Sequence, residues 1–111
     1  MEMNKRFDGD LLILDVSGDI TFFNVSQVIA EIELAHSMQG VCRVALDTED
    51  VQKIDSAAFG SLVSKALQLQ GEQGYLRLVN PHPGIVNALH RIHIQELLPS
   101  YRSLEEAIGP R

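Results

Sequence analysis

The chain has 111 residues, 45% hydrophobic and 22% charged, which suits one folded unit spanning 1–111 and excludes a disordered chain. Nine Lys and Arg against fifteen Asp and Glu leave a net charge of −6, so the chain offers no positive field for non-specific nucleic-acid binding or for an anionic membrane surface. A single cysteine, Cys42, rules out an internal disulfide. The N-terminal Met1-Glu2-Met3-Asn4-Lys5-Arg6-Phe7-Asp8 has no apolar stretch after its charges, and the run Leu11-Leu12-Ile13-Leu14 stops at Asp15, far short of the ~20 residues of a spanning helix. The expectation is a cytoplasmic chain without membrane insertion.

Asp8-Gly9-Asp10 carries turn residues between a short extended N-terminus and a strand over 11–16, which predicts a hairpin. Ser17-Gly18-Asp19 ends that strand. From Asn24 the period changes to about 3.6, with Val25, Val28, Ile29, Ile32 and Ala35 on one face, Asn24 as N-cap and Gly40 as stop. A strand over 41–47 follows, then a polar loop, Thr48-Glu49-Asp50.

Ile54-Asp55-Ser56 leads into a second amphipathic helix with Phe59, Leu62, Val63, Ala66 and Leu69 inward, closed by the 71–74 segment. A strand over 75–79 comes next. Asn80-Pro81-His82-Pro83-Gly84 then opens a third helix carrying Ile85, Val86 and Leu89. Tyr101 lies in a short extended piece, and Ser103 with Glu106 fits a capping box on a final short helix. Strands alternating with helices predict an α/β fold with a mixed, mainly parallel sheet and an antiparallel N-terminal edge.

No Walker A loop, GxGxxG, CxxC, HExxH or G-x-S-x-G motif is present, and no nucleophile–base pair is readable, so an enzyme is the least favoured class. His90, His93 and Glu96 recur at intervals of three and share a face if the third helix continues, but solvated or partly buried histidines account for them without a metal. Cys42, at a strand start with no activating cation beside it, reads as a small packed thiol. Arg43 and Arg77 are placed at an edge or end of the sheet, with no role assigned.

The informative segment is Ile54-Asp55-Ser56-Ala57-Ala58-Phe59-Gly60. Ser56 or Asp55 caps the second helix by accepting a bond from a free backbone N–H, worth about 1 kcal/mol, and that accounts for both residues without any further role. The same geometry suits a charge switch. A helix N-terminus presents unpaired N–H groups and partial positive charge, so it can hold a phosphate added to Ser56, roughly −1.5 to −2 charges. Asp55 would repel that charge and Lys53 would offset part of it. Capping and switching are compatible.

Leu46-Asp47, Val51 and Ile54-Asp55-Ser56, followed by Gly74, Leu76, Leu78 and Asn80-Pro81-His82-Pro83, resemble in order and spacing the STAS domain, the family of bacterial anti-sigma factor antagonists and of the cytoplasmic tails of sulfate transporters. The resemblance extends from the strand ending at Gly18 to Leu104-Glu105-Glu106-Ala107. It implies a sheet of four or five strands with helices mainly on one side. It also implies that Ser56 matches the phosphorylated serine of the D-S-[ST]-G-[LM]-G loop. The partner surface it implies is built from Asp19, Thr21, Asp55, Ser56, Ala57, Ala58 and Phe59. In the antagonist system the unphosphorylated domain binds an anti-sigma factor that is also a serine kinase, and a phosphatase resets it; the domain itself needs no cofactor or metal. Three positions depart from the pattern: Ala57 replaces the second hydroxyl, Ala58 stands for the glycine, where a methyl would crowd a close kinase backbone unless the position is helical and tolerates Ala, and Thr21 stands where many antagonists carry aspartate.

Two functional classes follow. One is a phosphorylation-switched module that binds an anti-sigma factor or serine kinase. The other is a constitutive STAS subunit of an ABC-type lipid transport complex or signalling scaffold, docking through the same loop and helix. A nucleotide cradle at this loop lacks the glycines and lysine it would need. A homodimer through exposed strand or helix surfaces stays open.

Overall fold

The structure is a computed structural model that describes residues 1–109; the last two positions of the expected 1–111 unit lie outside the described residues. β1 (Glu2–Asp8) and β2 (Leu11–Ser17) form the antiparallel hairpin, Asp8 opposite Leu11. Then come α1 (Val25–Gln39), β3 (Arg43–Asp50), α2 (Ser56–Gln70), β4 (Tyr75–Val79), α3 (Pro83–Arg91), β5 (Ser100–Tyr101) and α4 (Leu104–Ile108). The sheet order is β1-β2-β3-β4-β5, and every pairing after the hairpin is parallel. Parallel neighbours need crossovers, which the helices supply.

Alternation along the strands divides the apolar residues between two faces. Leu12, Leu14, Val16, Val44, Leu46, Leu76 and Leu78 meet Val28 and Ile32 of α1, Phe59 and Leu62 of α2, and Ile85 and Leu89 of α3 in one continuous core. Burying each of these side chains contributes about 2 kcal/mol. The opposite face has a smaller cluster, Leu11, Ile13, Ala45 and Val79, covered by Ala107 of α4. Arg77 supports that cover: its guanidinium lies 3.8 Å from the Tyr75 ring centroid, and its Nη1 donates to the Ala107 carbonyl at 2.6 Å. It is a packing residue inside a strand, not a projecting one.

Three local expectations change. Thr48-Glu49-Asp50 belongs to β3 rather than to a loop, because the buried Thr48 hydroxyl donates to the Val79 carbonyl at 3.0 Å and needs no water. Cys42 precedes β3, half-buried, with its thiol 3.7 Å from the Glu72 carbonyl. Asn24 occupies the N-cap position of α1 but its side chain makes no cap; it turns back toward residues 19–21.

The remaining ends follow the sequence. Gly40 ends α1 at φ 69°, left-handed, where a side chain would be strained, and its N–H returns to the His36 carbonyl at 2.8 Å. Asp55 caps α2 through Ala58 N–H, and the Ser103 hydroxyl caps α4 by accepting from Glu106 N–H at 3.1 Å. No helix among the described residues is long and apolar enough to cross a membrane.

Gly74 joins α2 to β4 where the chain runs against Cys42; a Cβ there would land on the Cys42 carbonyl, the acceptor for Tyr75 N–H. Gly74→Ala is therefore expected to lower stability by about 3 kcal/mol in urea unfolding, and an unchanged midpoint would disprove the close approach.

Asp47 lies on the sheet face beside Asp15, its register partner. Partial burial raises its carboxyl above the ordinary value of 3.8, Asp15 adds to the rise, and the Glu49 N–H opposes it. A raised folded-state pKa means that the carboxyl favours folding when protonated, and this contribution is lost as pH rises through the folded value. Asp47→Asn should raise Tm at neutral pH, with the gain fading below 3.8; a gain independent of pH would refute this assignment.

Candidate functional site

Two loops leave the carboxyl ends of β2 and β3 and are stitched together along their length. Gly18 N–H donates to the Asp50 carbonyl at 3.0 Å, Ile20 N–H to Lys53 at 3.0 Å, and Asp55 N–H to Ile20 at 3.1 Å. Ile20 and Ile54 form an isolated parallel bridge, and both side chains are buried. Side chains complete the stitching: Asp19 Oδ1 accepts from Lys53 N–H at 3.2 Å.

Asp55 holds the junction. Its Oδ1 accepts from Ala58 N–H at 2.8 Å and caps α2, while Oδ2 accepts from Phe22 N–H at 2.9 Å in the other loop. Of the two residues that can cap, the structure selects Asp55. Ser56 becomes the first helical residue, exposed, with Ala57 exposed beside it. The first-turn N–H groups of Ser56 and Ala57 have no intrahelical acceptor, so the tip keeps its partial positive charge.

The residues expected at the partner surface separate into two groups. Asp19, Asp55, Ser56 and Ala57 are exposed and gathered by the two loops. Thr21 is half-buried and builds the loop: its N–H donates to Asn24 Oδ1 at 2.8 Å and its Oγ1 accepts from Phe23 N–H. Ala58 and Phe59 need correction. They are 0% and 2% exposed because the third and fourth helical positions turn into the core, so neither side chain can touch a partner. For the same reason the Ala58 methyl cannot crowd an approaching backbone.

Sequence reasoning missed the aromatic part of this surface. Phe22 and Phe23 are 64% and 89% exposed, with ring centroids 5.5 Å apart in a T-shaped arrangement. Phe22 stands at one end of an open groove of about 810 Å³ between α1 and α2, with Ala30, Ala57, Gly60 and Ser64 among its lining residues. Lys65 also lines the groove; its side chain is 10% exposed, ties α2 to Glu33 of α1 at 3.1 Å and donates to Gln68 of its own helix at 2.6 Å. Two adjacent phenylalanines in a segment with neither strand nor helix periodicity were the available signal.

The histidine spacing does not survive folding. α3 ends at Arg91, and His93 lies beyond it at φ 59°, off the helix face that carries His90. Among the described residues no group of three or more His, Cys, Asp or Glu side chains could hold a metal ion.

Comparison with known proteins places this geometry. The STAS domain model matches residues 2–107. The chain belongs to the STAS domain family. The STAS fold recurs in a candidate anti-sigma factor antagonist from Thermotoga maritima, 20% identical, with TM-score 0.86 over 96% of this chain and 91% of that one. It recurs in the Bacillus anti-sigma factor antagonist SpoIIAA in its unphosphorylated form, 19% identical, TM-score 0.73, over 96% of this chain and 94% of that one. The murine anion transporter Slc26a9 is similar over 93% of this chain and 18% of its own length, 16% identical, TM-score 0.76. A search of curated proteins found no match.

Asp55 is expected to hold the STAS loops together. Asp55→Ala should lose about 2 kcal/mol, a cap and a cross-loop bond, in urea unfolding, and Asp55→Asn about half of that. Parent-like stability of the alanine variant would contradict the bridge.

Proposed function

We propose that this STAS domain is a protein-binding module whose partner is an anti-sigma factor acting as a serine kinase, bound when Ser56 is unphosphorylated and released when Ser56 carries phosphate. The observation that carries this reading is the placement of Ser56: exposed, first in α2, beside a cap that a different residue provides. A phosphate on Ser56 therefore leaves the Asp55–Ala58 bond in place and changes the surface, not the fold.

The change is large for its size. Phosphorylation adds roughly −1.5 to −2 charges at a tip where the helix dipole favours them and the adjacent Asp55 opposes them. A partner fitted to a neutral hydroxyl then meets a bulky anion and must strip its water. Likeness to SpoIIAA supports a switch without refolding, since the TM-scores against its unphosphorylated and phosphorylated forms are 0.73 and 0.72. In this reading the chain is no enzyme and needs no cofactor: the partner kinase supplies ATP chemistry and a phosphatase restores the hydroxyl.

A second reading is constitutive docking in a transport complex or scaffold. Two observations favour it: the likeness to Slc26a9 and the exposed Ala57, which leaves Ser56 without a neighbouring hydroxyl. Phosphate uptake separates the two. Incubated with the kinase and ATP, the parent gains one phosphate on the peptide containing Ser56 and Ser56→Ala gains none while binding as tightly. Ser56→Asp binds at least about tenfold more weakly, roughly 1.4 kcal/mol. Equal affinity of parent and Ser56→Asp, without any Ser56 phosphopeptide, refutes the switch in favour of constitutive docking.

A further inference from the structure

Phe22 and Phe23 are exposed, and the packing partner ordinarily open to an aromatic at this position is already taken. Phe23 immediately precedes the N-cap position Asn24, from which an apolar side chain ordinarily packs on the fourth helical residue. That residue, Val28, is fully buried by other side chains, while Phe23 stays 89% exposed. The segment is nevertheless fixed. Thr21, Phe22 and Phe23 N–H groups donate to Asn24 Oδ1, Asp55 Oδ2 and Thr21 Oγ1 at 2.8, 2.9 and 3.2 Å, and Asn24 Nδ2 donates to the Asp19 carbonyl at 2.9 Å. Two rings held in mutual contact on an ordered loop lose little freedom when something closes over them, the property of a preorganised anchor.

The surrounding charge selects what closes over them. Asp19 and Asp55 are exposed on the stitched loops and Asp50 at the end of β3, and Lys53 lies among them in the chain. A second copy of the chain would bring the same carboxylates face to face, and an anionic bilayer would repel them, whereas a basic protein surface is attracted. We infer that the Phe22–Phe23 pair is the anchor by which this domain holds a protein partner whose contact face contains an apolar pocket rimmed by Lys or Arg. This rests on the reading of the Ser56 face as a partner surface and names what holds the partner there. Phe22 opens onto the α1–α2 groove, so a partner seated on the rings extends over Ala57 and Gly60 and passes beside Ser56.

The test places p-benzoylphenylalanine at position 23 of the full chain in its native host, with the exposed Gln39 position as control. The protein cross-linked at 23 and not at 39 is purified and used as the probe. The inference expects the cross-link to map to an apolar pocket flanked by Lys or Arg. Phe23→Ala should then weaken binding of that protein about thirtyfold, and association should slow as salt is raised. Because both rings are exposed, Phe23→Ala should keep its Tm within about 3 °C of the parent, which shows that the fold is intact. Cross-links only to a second copy or to lipid, no cross-link above the control, or unchanged affinity in Phe23→Ala each overturn the inference. Ser56→Asp measured against the same protein keeps the two readings apart. Loss with Phe23→Ala and none with Ser56→Asp upholds the anchor and defeats the switch; the reverse pattern defeats the anchor and upholds the switch.

Discussion

The candidate surface of this STAS domain depends on one carboxylate. Asp55 accepts from Ala58 N–H with one oxygen and from Phe22 N–H with the other, so a single side chain both starts α2 and fixes the neighbouring loop. Without it the two loops would still share the Ile20–Ile54 bridge, but the aromatic pair and the helix tip would lose their common reference. A neutral residue can cap a helix; joining two segments through separate oxygens needs a side chain with two acceptors and no competing donor.

The sheet explains why these segments meet at all. β2 and β3 are parallel neighbours, so their carboxyl ends lie side by side and both following loops emerge at the same edge. Open α/β sheets place their sites at this end, and here the carboxyl-end loops carry Ser56, Asp19 and the phenylalanines together. The opposite face is used differently: its small apolar cluster is covered by α4 and by Arg77 lying over Tyr75, a structural use of a cation far from the loops.

Neutral and charged parts of the surface serve distinct roles. In the proposed reading the rings supply contact area, the acidic rim biases what approaches, and Ser56 is the exposed position at which a charge would be added beside a cap made by Asp55. These roles are separable because the cap, the loop bonds and the core contacts of α2 are each made by residues other than Ser56.

The amino-acid sequence by itself determined the alternation of strands and helices, the hairpin at the N-terminus, the cap candidates and the position of Ser56 ahead of an apolar helical face, because period, turn residues and capping chemistry are local properties. It placed the end of β3 too early, since nothing local reveals that the Thr48 hydroxyl finds the Val79 carbonyl across the sheet. Ala58 and Phe59 illustrate the same limit: both stand in the motif, but helix rotation against the sheet turns them inward and leaves Ser56 and Ala57 outside. Only the tertiary structure could decide that Phe22 and Phe23 remain in water. Burial of a phenylalanine depends on whether distant segments leave room above the loop, and here Val28 is already covered when the chain reaches its folded state.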